Sequence, residues 1–153
     1  LLERCSAKME TRMSRVYQSV LLRRIRSRLQ QREQLLRSEL AEGYDQAMAA
    51  RSFTEFDEAF TAPLHGYAGA QDYYDRASSR SALCDIAHPT LIVHSADDPF
   101  MYPDVLPEAE ELAESVTVEV TRCGGHVGFV HGSPWAPRYY LEERIPEWLR
   151  RWR

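Results

Sequence analysis

The 153-residue chain has no asparagine, and therefore no N-glycosylation acceptor. Its three cysteines, Cys5, Cys84 and Cys123, lie far apart and form no C-x-x-C pair. That spacing argues against a disulfide framework or a zinc finger and for a reducing compartment. No run approaches the roughly 18 consecutive apolar residues of a membrane-spanning helix, and the N-terminus lacks the apolar core of a secretory signal. A cytoplasmic location is expected. Internal repeats and low-complexity segments are missing too. What is present is ordinary for a soluble globular protein: 44% apolar and 27% charged residues, with 7 Gly and 8 Pro. Collagen-like and disordered classes are excluded on the same ground. The first residue is Leu1 rather than Met, which predicts a piece of a longer protein or a processed product.

The net charge of −4 hides an asymmetry. Residues 1–38 carry 10 basic side chains against 3 acidic ones, and the remainder carries 9 against 20. An Arg-rich helix can follow phosphates on nucleic acid or an anionic membrane. The ordinary reading is a solvated helix face, because the same segment supplies an apolar face and the acidic remainder answers the charge. From Ser14 onward Leu22, Ile25, Leu29, Leu36 and Leu40 recur at helical spacing. This predicts one helix, or two joined near Gln30-Gln31, with Gly43 as a stop. Ser52-Phe53-Thr54-Glu55 has the form of a capping box, with Phe53, Phe56 and Phe60 on one face behind it. Pro63 and Gly66 break the chain, and residues 68–78 are weakly helical. Residues 1–86 thus read as helices and connectors.

At His88 the character changes. Thr90-Leu91-Ile92-Val93-His94 is a short β-branched run, expected to be a strand of a parallel sheet buried on both faces. A turn over 95–99, an acidic helix over 108–114 and an alternating strand, Val116-Thr117-Val118-Glu119-Val120, complete a βαβ crossover. A last helix follows, with Leu141, Ile145, Trp148, Leu149 and Trp152 on one face and a kink or restart at Pro146. The fold class is α/β, with a helical region over 1–86 and a βαβα part over 87–153.

In open α/β sheets ligands bind beyond the carboxyl ends of the strands, which singles out Asp97, Asp98 and His126. An acid after one strand and a histidine after the next is the arrangement in which a carboxylate orients an imidazole for acyl transfer. Asp98 is the preferred acid, because Pro99 pushes it away from the α region; Asp97 then caps a turn or faces solvent. Gly124 and Gly125 let the backbone bring His126 over the sheet edge. Each residue alone has an ordinary reading, Asp-Asp-Pro as a turn and His126 as a loop histidine. His94 reads as a core histidine, Cys123 as a small buried residue, and His65, His88 and His131 have no spacing partner. A metal site can be drawn from His94, Asp98, His126 and His131, but no helical ligand pair supports it. No G-x-S-x-G elbow occurs, and Gly132-Ser133-Pro134 does not supply one, because Pro134 removes the N–H an oxyanion hole needs.

The run Pro89-Thr90-Leu91-Ile92-Val93-His94-Ser95-Ala96-Asp97-Asp98-Pro99-Phe100-Met101, followed by Gly124-Gly125-His126-Val127-Gly128-Phe129, resembles the C-terminal part of the YheT-like α/β-hydrolases. Ser14-Arg15-Val16-Tyr17-Gln18, Phe56-Asp57, His65-Gly66-Tyr67, Asp72-Tyr73-Tyr74 and the helix Arg144-Ile145-Pro146-Glu147-Trp148-Leu149 extend the resemblance from about residue 14 to the end. It implies an α/β-hydrolase fold and a Ser-Asp-His triad acting on acyl esters, as in carboxylesterases or acylglycerol lipases. Asp98 falls on the triad acid and His126 on the base. The nucleophile and oxyanion donors have no counterpart, so the chain alone is expected to be inactive without the N-terminal half of the fold. Residues 1–86 correspond to a lid-like region that meets lipid or anionic substrates. No cofactor, metal or nucleic-acid partner is implied. The rivals are a binding module that uses the Arg-rich helix and an inactive hydrolase remnant. Two strands alone leave edges and an apolar face open, which predicts a marginal or aggregation-prone chain.

Overall fold

Ser14, Gln18 and Leu22 recur at every fourth residue and are buried, so one stripe of a helix turns inward while Arg23, Arg24 and Arg28 stay exposed. That helix is α2, Arg12–Gln30. A computed structural model describes residues 2–152, the side chains at 12 and 13 excepted. It divides into two compact units, Leu1–Ser79 and Arg80–Arg153.

In the first unit α1 (Leu2–Met9) precedes α2, and α3 (Glu33–Glu39) and α4 (Ala41–Ala49) follow. The apolar repeat forms two helices, broken at Gln31-Arg32. Gly43 does not stop a helix. It lies inside α4, buried, where an added Cβ would sit 2.4 Å from the Ala59 carbonyl oxygen. α5 (Phe53–Phe56) runs through a π turn, Asp57–Thr61, into α6 (Ala62–Leu64). Ser52 caps α5 by accepting the Glu55 N–H at 3.1 Å. The return half of the capping box is shifted by one residue, since Glu55 accepts from the Arg51 N–H at 2.6 Å. Gln18, although buried, is satisfied: its Oε1 accepts the Phe53 N–H at 3.0 Å. Leu22, Tyr44, Ala47, Ala50, Phe56 and Phe60 form the core, with Ile25, Leu29, Leu36 and Leu40 packed on it.

The basic excess is partly used inside this unit. Arg26 donates to the Ala50 carbonyl. Arg37 pairs with Glu33 at 2.7 Å and with Asp45 at 2.6 Å, and its guanidinium lies over the Tyr44 ring. α7 (Ala70–Ala77) is held at its start by Glu58, which accepts the Ala70 N–H at 2.6 Å, and at its middle by Tyr74, which donates to Asp57 at 2.8 Å.

The second unit opens on 3-10 turns and then β1 (Thr90–Ser95), which pairs in parallel with β2 (Val116–Thr121) from Thr90↔Val116 to Ser95↔Thr121. β1 is half-buried along most of its length instead of buried on both faces, because β2 is its only strand neighbour among the described residues. The crossover holds no acidic helix over 108–114. It holds short 3-10 turns, Pro103–Val105 and Ala109–Glu111, the second closed by a capping box between Glu108 and Glu111. Arg80 pairs with Glu111 at 2.6 Å, drawing that carboxylate back into a turn. Beyond β2 an antiparallel hairpin, β3 (Val130–Ser133) and β4 (Ala136–Tyr139), leads into α8 (Tyr140–Leu149). Pro146 lies inside α8 without ending it. No helix among the described residues is long and apolar enough to cross a membrane.

Candidate active site

Parallel pairing in matched register ends β1 and β2 at the same edge, so the turns that follow them are neighbours. Ser95, the last residue of β1, is 1% exposed. The Ala96 N–H donates to the Thr121 carbonyl at 2.8 Å, and the Asp98 N–H to the Ser95 carbonyl at 3.2 Å. The turn is thereby closed with Asp98 pointing toward the turn after β2. There His126 waits: its Nδ1 lies 2.9 Å from Asp98 Oδ2.

The Asp98 side chain is 4% exposed and that of His126 is 38% exposed. Asp98 Oδ1 accepts the Phe100 N–H at 2.8 Å, so both carboxylate oxygens are engaged. The Phe100 ring meets the imidazole edge-on at 5.1 Å between centroids. A carboxylate on Nδ1 selects the Nδ1–H tautomer and leaves Nε2 as the basic nitrogen. An imidazole so held can accept a proton at Nε2, with the new charge stabilised by the acid behind it. A small cavity lined by His94, Ser95, Asp98, Met101 and Tyr102 lies beside the acid.

The loop that presents His126 is shaped by its glycines. Gly125 has φ +63°, a backbone region that favours glycine. A Cβ on Gly124 would fall 2.7 Å from the Phe129 ring. Phe129 is buried at φ +44°, and its N–H donates to the Gly124 carbonyl at 2.8 Å.

Asp97 is exposed, yet it does more than cap a turn or face solvent. Its Oδ1 accepts the N–H groups of Gly124 and Gly125, both at 2.9 Å, and the Ser95 hydroxyl. The Ser95 hydroxyl foremost, then the Gly125 amide, hold its carboxyl below the usual range against the opposing pull of burial, and the Gly124 amide adds to them. Sequence reasoning missed this role, although a carboxylate opposite two successive glycine amides was a usable signal. Cys123 is exposed, not buried. His94 sits half-buried in β1, while His65, His88 and His131 are exposed and take no part in the pair.

Residues 5–133 match the alpha/beta hydrolase fold family. The chain belongs to it. Among curated relatives, the chain is 43% identical over 149 residues to YheT, an esterase by name, of Escherichia coli (strain K12); the match covers 97% of the chain and 44% of the relative. It is 38% identical over 89 residues to mouse phospholipase ABHD3, covering 58% of the chain and 22% of the relative. It is 35% identical over 98 residues to medium-chain fatty acid ethyl ester synthase/esterase 2 of Saccharomyces cerevisiae, covering 63% and 22%. The chain thus spans less than half the length of these relatives. No solved structure matches it.

Proposed function

We propose that this chain supplies the acid and the base of a serine hydrolase that cleaves carboxylic esters. Asp98 orients His126, and His126 Nε2 takes the proton from a serine that these 153 residues do not contain. The serine oxygen then attacks the ester carbonyl, the alcohol leaves with the proton from His126, and water, activated by the same base, releases the acid. The observation that carries the reading is the 2.9 Å contact between a buried carboxylate and a half-exposed imidazole at the shared end of two parallel strands. Relatives named as an esterase, a phospholipase and an ester synthase/esterase support an acyl ester as substrate. A lid-like role for residues 1–86, with lipid contact, belongs to the same proposal.

The test extends the reading frame upstream of Leu1 to a G-x-S-x-G elbow and follows hydrolysis of p-nitrophenyl esters. His126→Ala is expected to abolish turnover, and Asp98→Asn to lower kcat by about 10³- to 10⁴-fold through the wrong tautomer. Absence of an elbow, or hydrolysis indifferent to His126, would overturn the reading.

A further inference from the structure

Two turns on different strands must stay in register for Asp98 and His126 to meet, and a single oxygen ties them together. Asp97 lies in the turn after β1, yet its Oδ1 receives the amides of Gly124 and Gly125 in the turn after β2, each at 2.9 Å. The Ser95 hydroxyl, at the buried end of β1, donates to the same oxygen. The second of those amides is one peptide unit before His126. On the far side the loop is closed by the Phe129 N–H on the Gly124 carbonyl at 2.8 Å. Gly125 needs its positive φ to complete this path, and glycine there brings backbone freedom that some other contact must remove.

We propose that Asp97 is a positioning residue: by anchoring Gly124 and Gly125 to the end of β1 it sets the distance between His126 Nδ1 and Asp98 Oδ2. This rests on the acid–base reading of Asp98 and His126. The adjacent acids divide the work, one holding the loop and the other holding the ring. The anchor requires an acceptor oxygen rather than a negative charge, because all three partners are donors. Asparagine keeps that oxygen and alanine removes it. Catalytic groups displaced by about 1 Å lose about 10²-fold in rate, which sets the scale of the effect.

The experiment uses the elbow-carrying protein and compares Asp97→Ala with Asp97→Asn. Asp97→Ala should lower kcat by about 10²-fold with KM little changed, and should abolish the downfield proton resonance of an imidazole Nδ1–H bonded to a carboxylate. Asp97→Asn should keep both the rate, within a few-fold, and the resonance. Wild-type kcat and an intact resonance in Asp97→Ala would overturn the proposal. So would Asp97→Asn as damaged as Asp97→Ala, which would make charge the operative property. If Asp97→Ala does not fold, Asp97→Asn decides: rate and resonance retained support the anchor, and their loss overturns it. A parent indifferent to His126→Ala removes the acid–base reading and this proposal with it, whereas a parent that needs His126 but not Asp97 removes the proposal alone.

Discussion

Gly43 sits where a helix would ordinarily gain from alanine, by about 1 kcal/mol. In α4 the opposite sign is expected. A Cβ there would meet the Ala59 carbonyl oxygen at 2.4 Å and the Leu40 side chain at 2.5 Å. Leu40 can turn away, but Ala59 O belongs to the π turn and moves only with the backbone. Overpacking of this kind costs about 1–3 kcal/mol, so Gly43→Ala should lower stability despite its better propensity. The check is the urea midpoint of the helical circular dichroism, and a raised midpoint would refute the close approach. Residue by residue, the candidate pair is legible where local chemistry decides: Pro99 favours Asp98 over Asp97 as the acid, and the imidazole does lie on Asp98. Gly43 at the end of an apolar repeat looks like a helix stop, and nothing local reveals a carbonyl arriving from residue 59. Cys123 by its type suggests burial, yet it lies exposed in the turn before the glycines.

Between elements, one contact with a pH signature joins β2 to α8. Arg144 Nε lies 2.9 Å from both Glu119 carboxylate oxygens, Nη2 also donates to Glu119, and the Tyr140 hydroxyl donates to it at 3.1 Å. The two side chains are 12% and 24% exposed, so solvent screens the pair only in part. Arg144 first, with Tyr140 helping, holds the Glu119 carboxyl below its ordinary 4.5 against the effect of burial. A carboxyl with a depressed folded pKa contributes stability that is present above its unfolded value and lost as pH falls through the folded one. Glu119→Gln should therefore weaken hydrogen-exchange protection of α8 by about 1–3 kcal/mol at neutral pH. The gap to the wild type should hold down to about pH 4.5 and close below it. A gap that is constant with pH, or grows on acidification, would assign the effect to packing. At this scale the parallel pair was legible, since β-branched runs flanked by turn residues have few other readings. The β3–β4 hairpin was not, because Gly132-Ser133-Pro134 shows only a failed elbow locally, and four-residue strands on either side of Pro134-Trp135 carry no apolar alternation. The acidic helix is replaced by a single turn, in which the Glu108–Glu111 capping box and the Arg80 ion pair engage two of the acids, Glu108 and Glu111.

The whole molecule presents more apolar surface than its own elements cover. In the second unit Val120, Val127, Trp135, Ile145, Leu149 and Trp152 are exposed, Trp135 almost completely at 95%. In the first, Val16, Tyr17, Val20, Leu35 and Leu64 are exposed as well. Single exposed apolar residues are common, but so many within one small chain accompany a parallel pair, β1 and β2, that no further strand joins among the described residues. Open strand edges template pairing with another chain, and a two-stranded sheet has little stability of its own. The curated relatives are longer, the YheT match covering 44% of that protein. Prepared as these 153 residues alone, the protein should self-associate in sedimentation velocity as its concentration rises, and its calorimetric transition should be broad, with a van't Hoff enthalpy well below the calorimetric one. On the proposed function, the same residues joined to a segment that carries the G-x-S-x-G elbow should sediment as a discrete species and melt in a sharp transition, because covered edges and a shared core restore cooperativity. A sharp two-state melt from a monomer of the 153 residues would show that the two units already bury what they need, and the argument from uncovered surface would fail.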